Sequence, residues 1–183
     1  MKTNAWKIDE SHSGIHFAVR HMVIAKVHGQ FRRWSADLAI DEADLARSSV
    51  AVTIEAASID TGNAQRDGHL RSPDFFDADR FPALTFRSRR IEPAGKDVYR
   101  VVGDLTIRDV TREVTLDTEL GGFVNGGEGA RLAGFAAKTS IQRSDFGIVW
   151  NQVLEAGGLA VSDRVDIEIE IEAVAQAARQ AVA

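Results

Sequence analysis

A hydrophobic period of two runs through almost the whole chain. Ile15, Phe17 and Val19 alternate with His16, Ala18 and Arg20. Trp34, Ala36, Leu38 and Ile40 form a second set, and Val50, Val52 and Ile54 a third. Leu84 and Phe86 follow, then Tyr99, Val101, Gly103, Leu105 and Ile107. Val114, Leu116, Thr118 and Leu120 come next, then Phe135, Ala137, Thr139 and Ile141, and last Val165, Ile167, Ile169 and Ile171. Successive side chains on a strand point to opposite faces, so each set predicts a strand with one apolar and one polar face. Turn-forming residues separate the sets: Asp41 to Asp44, Pro93-Ala94-Gly95, Gly121-Gly122 and Asn125-Gly126-Gly127.

The pattern predicts an all-β domain of about eight antiparallel strands, mostly joined as a meander. Helical spacing is confined to a short segment near 63–76, which Pro73 ends or restarts, and to the Ala-rich 173–183, expected to form a short terminal helix. Strands with one apolar face can build a two-sheet sandwich or a closed barrel, and closure removes the edge strands. The inward sets mix large residues (Phe17, Phe86, Phe135) with small ones (Ala36, Gly103, Ala137), which suits either architecture. With 183 residues, 44% hydrophobic and 27% charged, residues 1–183 read as one domain with a real core.

Net charge is −5 and no basic block stands out, so nucleic acid and anionic membrane have no evident footprint beyond what a small local patch could supply. The absence of cysteine excludes disulfides, thiolate metal sites and a cysteine nucleophile. Met1 to Trp6 runs directly into an alternating segment without an apolar leader, and no stretch approaches the ~18 apolar residues of a membrane helix. The expected location is the cytoplasm, or the periplasm if a leader has been removed.

Five blocks then become specific. They are WKIDESHSGIHFAVRHM (6–22), VHGQFRRW (27–34), SIDTGNAQRDGHLRSPDFFDADRFPALTF (58–86), GDLTIRDVTREVTL (103–116) and QRSDFGI (142–148). In this order they resemble the YceI family, the lipocalin-like polyisoprenoid-binding proteins. The resemblance implies an eight-stranded antiparallel lipocalin-like barrel whose apolar pore takes up a long isoprenoid or similar acyl lipid. It implies no catalytic residues and is compatible with a homodimer. Two departures are expected to matter: Asp109 stands where a glycine is common in the family, at a turn where Asp tolerates the left-handed conformation, and residues 1–6 do not read as the leader that some members carry.

Transfer energies explain why such a pore would hold a long chain. Burying a methylene stabilises by ~0.8 kcal/mol, so a five-carbon isoprene unit is worth at most roughly 3–4 kcal/mol. Association costs on the order of 4–15 kcal/mol, which several buried units exceed and one does not. The expected lining is Phe17, Val19, Trp34, Leu38, Val52, Phe86, Leu105, Phe135 and Ile141. His21 shares their parity and reads either as a hydrogen-bonded core histidine or as a contact for a lipid head group. In the helical segment, Phe75 and Phe76 could plug one barrel end while Arg66 and Arg71 meet a phosphate or carbonyl; the plainer reading is a solvated turn knitted by Arg–Asp pairs.

The remaining motifs carry less. His12 and His16 share parity and could approach a metal with Asp9 or Glu10, but no third ligand has a diagnostic spacing, and no metal is assigned. Ser58, Asp60, Asp67 and His69 lack a nucleophile elbow or oxyanion donors. The glycine run after Asn125 lacks the Lys-Ser/Thr pair of a phosphate loop and reads as a hairpin turn. Arg143 and Asp145 suggest a structural ion pair near Trp150. No cofactor is expected, although a quinone would fit a lipid pore. The expected function is non-enzymatic storage or transport of such a lipid; the alternatives are an enzyme acting on one, with His21 as its inward polar group, and a packed structural or stress-response barrel without a ligand.

Overall fold

The computed structural model describes residues 4–22, 24–155 and 158–176. The chain order is β1 (Asn4–Ile8), β2 (Gly14–His21), β3 (Ala25–Phe31), β4 (Trp34–Ile40), β5 (Ser49–Glu55), β6 (Ile59–Asp60), α1 (Ala64–Arg71), β7 (Ala83–Gly95), β8 (Val98–Ile107), β9 (Val110–Asn125), β10 (Arg131–Gln142) and β11 (Val161–Ala175). Hydrogen bonding runs β1-β4-β5-β7-β8-β9-β10-β11 and returns from β11 to β1, which closes a ring of eight antiparallel strands. The barrel reading therefore holds and the sandwich does not.

β2, β3 and β6 continue three of these strands beyond a break. β11 pairs with β1 at its C-terminal end (Ile8 opposite Ala173) and with β2 further back (Ile169 opposite Ile15). β2 pairs with β3, and β3 with β6. Each break also shifts inward parity between even and odd positions: Trp6 to Ile15, Trp34 to Phe31, Ile54 to Ile59. An irregularity that bends a strand lets the sheet curl while its apolar set stays inside.

One barrel end carries the Ile107–Val110 turn, the 3₁₀ turn Arg143–Phe146, the β2–β3 turn and α1. β6 and β7 are not paired, and α1 with the following 72–82 segment fills the space between them. α1 is shorter than the 63–76 segment. Asn63 caps its start by accepting from Arg66 N at 2.9 Å, and Ser72 ends it just before Pro73. The other barrel end holds β1, the 41–48 link and the turns after β7 and β9.

Several local expectations change. Gly121-Gly122 is a bulge inside β9, with Gly134 opposite Gly122 and Phe135 opposite Leu120. Pro93 to Gly95 stays within β7, and the turn falls two residues later, with Asp97 at φ 57°. At the β8–β9 turn the left-handed residue is Arg108, φ 58°, because the positive angle falls on the first of the two turn residues; Asp109 does not take it. Ala173 to Ala175 extend β11, paired with β1, instead of starting a helix; the rest of that prediction, from 177 onward, lies outside the described residues.

Candidate functional site

The inward faces enclose a cavity of about 780 Å³, inside the ~300–1,000 Å³ span of small-molecule sites. All twelve residues expected at a ligand site border it: Phe17, Val19, His21, Trp34, Leu38, Val52, Phe75, Phe76, Phe86, Leu105, Phe135 and Ile141. Phe17, Val19, Trp34, Leu38, Val52, Phe135 and Ile141 are only partly buried although they point inward. A packed core would bury them completely, so their residual exposure reflects open space inside the barrel.

Two packed clusters bound this space. At the end that holds β1, Trp6, Ile40, Leu45, Ala133 and Ala173 form a buried plug with Phe123 and Phe135 against it. The Trp6 and Phe123 rings lie 5.8 Å apart. At the α1 end, Phe31, Ile59, Phe75, Phe86, Phe146 and Ile148 form the larger cluster. Phe31 bridges strand and cap, 5.7 Å from Phe17 and 5.8 Å from Phe76.

Phe75 and Phe76 therefore sit where a cap would place them. Of the two arginines, Arg66 borders the cavity and Arg71 does not, and both are held by neighbouring backbone or Thr61. Arg71 donates from Nε to Ala57 O at 2.8 Å and from a terminal nitrogen to Ile59 O at 3.2 Å. Arg66 binds Thr61 through Oγ1 and O, at 2.7 and 2.9 Å. Buried Asp67 accepts from Thr61 N and Oγ1, at 3.0 and 2.6 Å, so no Arg–Asp pair knits this turn. Backbone carbonyls and a threonine lie nearer than the carboxylate and satisfy the guanidinium groups. His69 stands edge-on to Phe75 at 5.0 Å and Trp150 at 4.6 Å, with Nε2 2.8 Å from Asp74.

Arg143 also departs from expectation. It is buried, 7% exposed, and its partners are four backbone carbonyls: Ile148 at 3.0 Å, Trp150 at 2.8 Å, Val161 at 3.4 Å and Ser162 at 3.0 Å. Asp145 is not among them; Asp163 supplies the nearby negative charge and binds Ser144. Burial lowers the Arg143 pKa from its ordinary value, and Asp163 opposes that shift. The residue ties Ile148 and Trp150, and the start of β11, to the end of β10 at the cavity edge.

The charged and amide side chains bordering the cavity, among them Arg20, Asn63, Arg66, Arg143 and Gln152, lie at the α1 end, while Ser48, Ser49, Tyr99 and Thr118 border it elsewhere. His21 lies on this rim, and its ring has no hydrogen-bond partner among the described residues. An imidazole at this rim can donate or accept a hydrogen bond. The N-terminal histidines separate. His12 Nδ1 lies 3.1 Å from Asp9 and 3.8 Å from Glu172, while His16 is elsewhere on β2 and borders the cavity. Asp9 is already engaged by Ser11, whose bonds with His12's hold its pKa down to about 2, and Asp9 in turn raises that of His12. This reads as an exposed turn lock.

Sequence reading passed over Phe31, Ile59 and Ile148 as lining residues. Phe31 had a signal: Val27, Gly29 and Phe31 alternate once glycine counts as an inward position. Phe17 lies opposite Gly29 across the β2–β3 pair, and a β-carbon there would fall 2.3 Å from its ring.

Comparison with known proteins agrees with this architecture. The YceI-like domain matches residues 6–173. A UPF0312 protein of Staphylococcus epidermidis is 37% identical over 168 residues, covering 91% of this chain and 95% of the relative. The crystal structure of Burkholderia cenocepacia BcnA superposes with a TM-score of 0.79 at 29% identity, covering 90% of this chain and 98% of BcnA. A polyisoprenoid binding domain from Saccharophagus degradans shares the fold at a TM-score of 0.65 and 15% identity, covering 94% and 99% of the two chains. A match across nearly the whole barrel, with sequence identity of this order, means that the chain belongs to the YceI-like domain family.

Proposed function

We propose that the protein binds one long apolar lipid, of the isoprenoid or acyl type, inside its barrel, as a carrier or store and not as a catalyst. The observation that carries this reading is the unfilled apolar interior of about 780 Å³, walled by strands and plugged at one end. Fixing side chains around such a space forgoes packing contacts that a filled core would make, so an apolar occupant recovers them. The S. degradans domain is described as binding a polyisoprenoid, which points to the same ligand class. Phe17, Val19, Leu38, Val52, Leu105 and Ile141 would contact the hydrocarbon along the wall. His21, Arg66 and Gln152 stand at the rim, where a head group would remain.

The test is mass spectrometry of an organic extract of purified protein beside native mass spectrometry of the intact chain. A lipid at one equivalent, or stoichiometric uptake of added prenyl lipid, is expected. A clean unliganded mass with no uptake overturns the reading.

A further inference from the structure

Single exposed apolar side chains are ordinary on a protein surface, but here several gather in one place. Met22 is 44% exposed, Ile24 88%, Val153 75% and Leu159 53%. The first two belong to the β2–β3 turn and the others to the loop between the Arg143–Phe146 turn and β11. Backbone bonds join the two segments. Met22 N donates to Ala160 O at 2.9 Å, Ala160 N donates to Gln152 O at 2.9 Å, and Val153 pairs with Leu159. Met22, Gln152 and Ala160 also border the cavity, so this patch is the lip of its opening.

The charge beside the patch is one-sided. Residues 14–36 contain Arg20, Lys26, Arg32 and Arg33 and no acidic residue, in a chain of net charge −5. Arg32 and Arg33 are paired with Asp60 and Glu55. Arg20 and Lys26 are cross-strand neighbours just behind the apolar tip, and neither is in an ion pair among the described residues. Like charges placed opposite each other on a hairpin repel, so this arrangement lowers stability unless an anion meets it. The acidic residue of the 149–160 loop is Glu155.

We propose that this lip docks on an anionic phospholipid bilayer. Ile24 and Val153 enter the head-group layer, and Arg20 and Lys26 meet lipid phosphates, as apolar and basic groups do on interfacial segments. The cavity then opens toward the membrane, and hydrocarbon can pass between them without crossing water. The passage rests on the lipid-binding reading; the docking does not.

The experiment is co-sedimentation of the full chain with vesicles of phosphatidylcholine, alone or mixed with phosphatidylglycerol. Prenyl lipid uptake from detergent is measured in parallel. Binding to the mixed vesicles, weakened by salt, is expected. Ile24→Asp should weaken it on the order of tenfold or more, and Lys26→Ser roughly fivefold. Neither residue borders the cavity, so both variants should take up lipid from detergent as the unaltered protein does. Failure to bind mixed vesicles, or equal binding by folded variants, overturns the proposal. So does a dimer in sedimentation velocity that Ile24→Asp dissociates, since the lip would then face a second copy. Vesicle binding without lipid uptake supports docking and overturns the lipid-binding reading; uptake without vesicle binding does the reverse.

Discussion

Arg143 shows how much one side chain can hold in place. Its guanidinium donates to four carbonyls, those of Ile148 and Trp150 in the loop and of Val161 and Ser162 at the start of β11; Val161 O also accepts from Asn151. Arg143→Met should cost about 3 kcal/mol or more, read by urea unfolding. Arg143→Lys should recover little, because an ammonium has three donors and no planar fork. Asp9 and His12 give a milder, pH-dependent case. The His12 pKa is raised by Asp9, so its contribution is complete below the ordinary histidine value and is lost as pH rises through the folded one. Asp9 behaves oppositely: its contribution is present above the ordinary carboxylate value and is lost as pH falls toward about 2. Asp9→Asn should bring His12 back toward its ordinary titration, followed by NMR of the ring protons. The sequence offered the histidine and the carboxylate but not which pair would meet, because the loop before β2 sets that.

At the level of strands, close approach matters as much as polarity. Gly103 on β8 lies beneath Phe86, and a β-carbon there would fall 2.4 Å from Arg87 O and 2.6 Å from the Phe86 ring. Backbone cannot yield as a side-chain tip can. Gly103→Ala should destabilise by about 1–3 kcal/mol and shift the Phe86 ring, visible as a lower Tm and altered aromatic circular dichroism. The strand sets themselves were legible because period-two alternation survives over long stretches of the wall strands, although β7 shifts register between Ser88 and Arg90. Three features were not. The parity shifts at 9–13, 32–33 and 56–58 erase the continuity of a bent strand. Glycine at 29 hid an inward position, and the glycines at 121–122 imitate a turn while forming a bulge. In each case a backbone irregularity that serves barrel curvature reads locally as an ending.

For the whole molecule, the decisive property is the volume left inside, which alternation does not encode. A filled barrel and a hollow one share the same inward pattern; only the closure of the ring and the placing of large residues at its two ends separate them. Filling the middle should therefore change capacity more than stability. Ala137→Trp adds bulk at a buried wall position that borders the cavity. It should shorten the longest prenyl chain retained in native mass spectrometry while leaving the far-ultraviolet circular dichroism unchanged; undiminished retention would show that Ala137 does not limit the space. The plug around Trp6, Leu45 and Phe123 has a kinetic consequence as well. A tube with one way in is a single-file dead end: a chain must enter tail first and back out the way it came. Escape into water then exposes one methylene after another, so the dwell time should lengthen geometrically with chain length, and a partner waiting at the lip would always be shown the same end of the molecule.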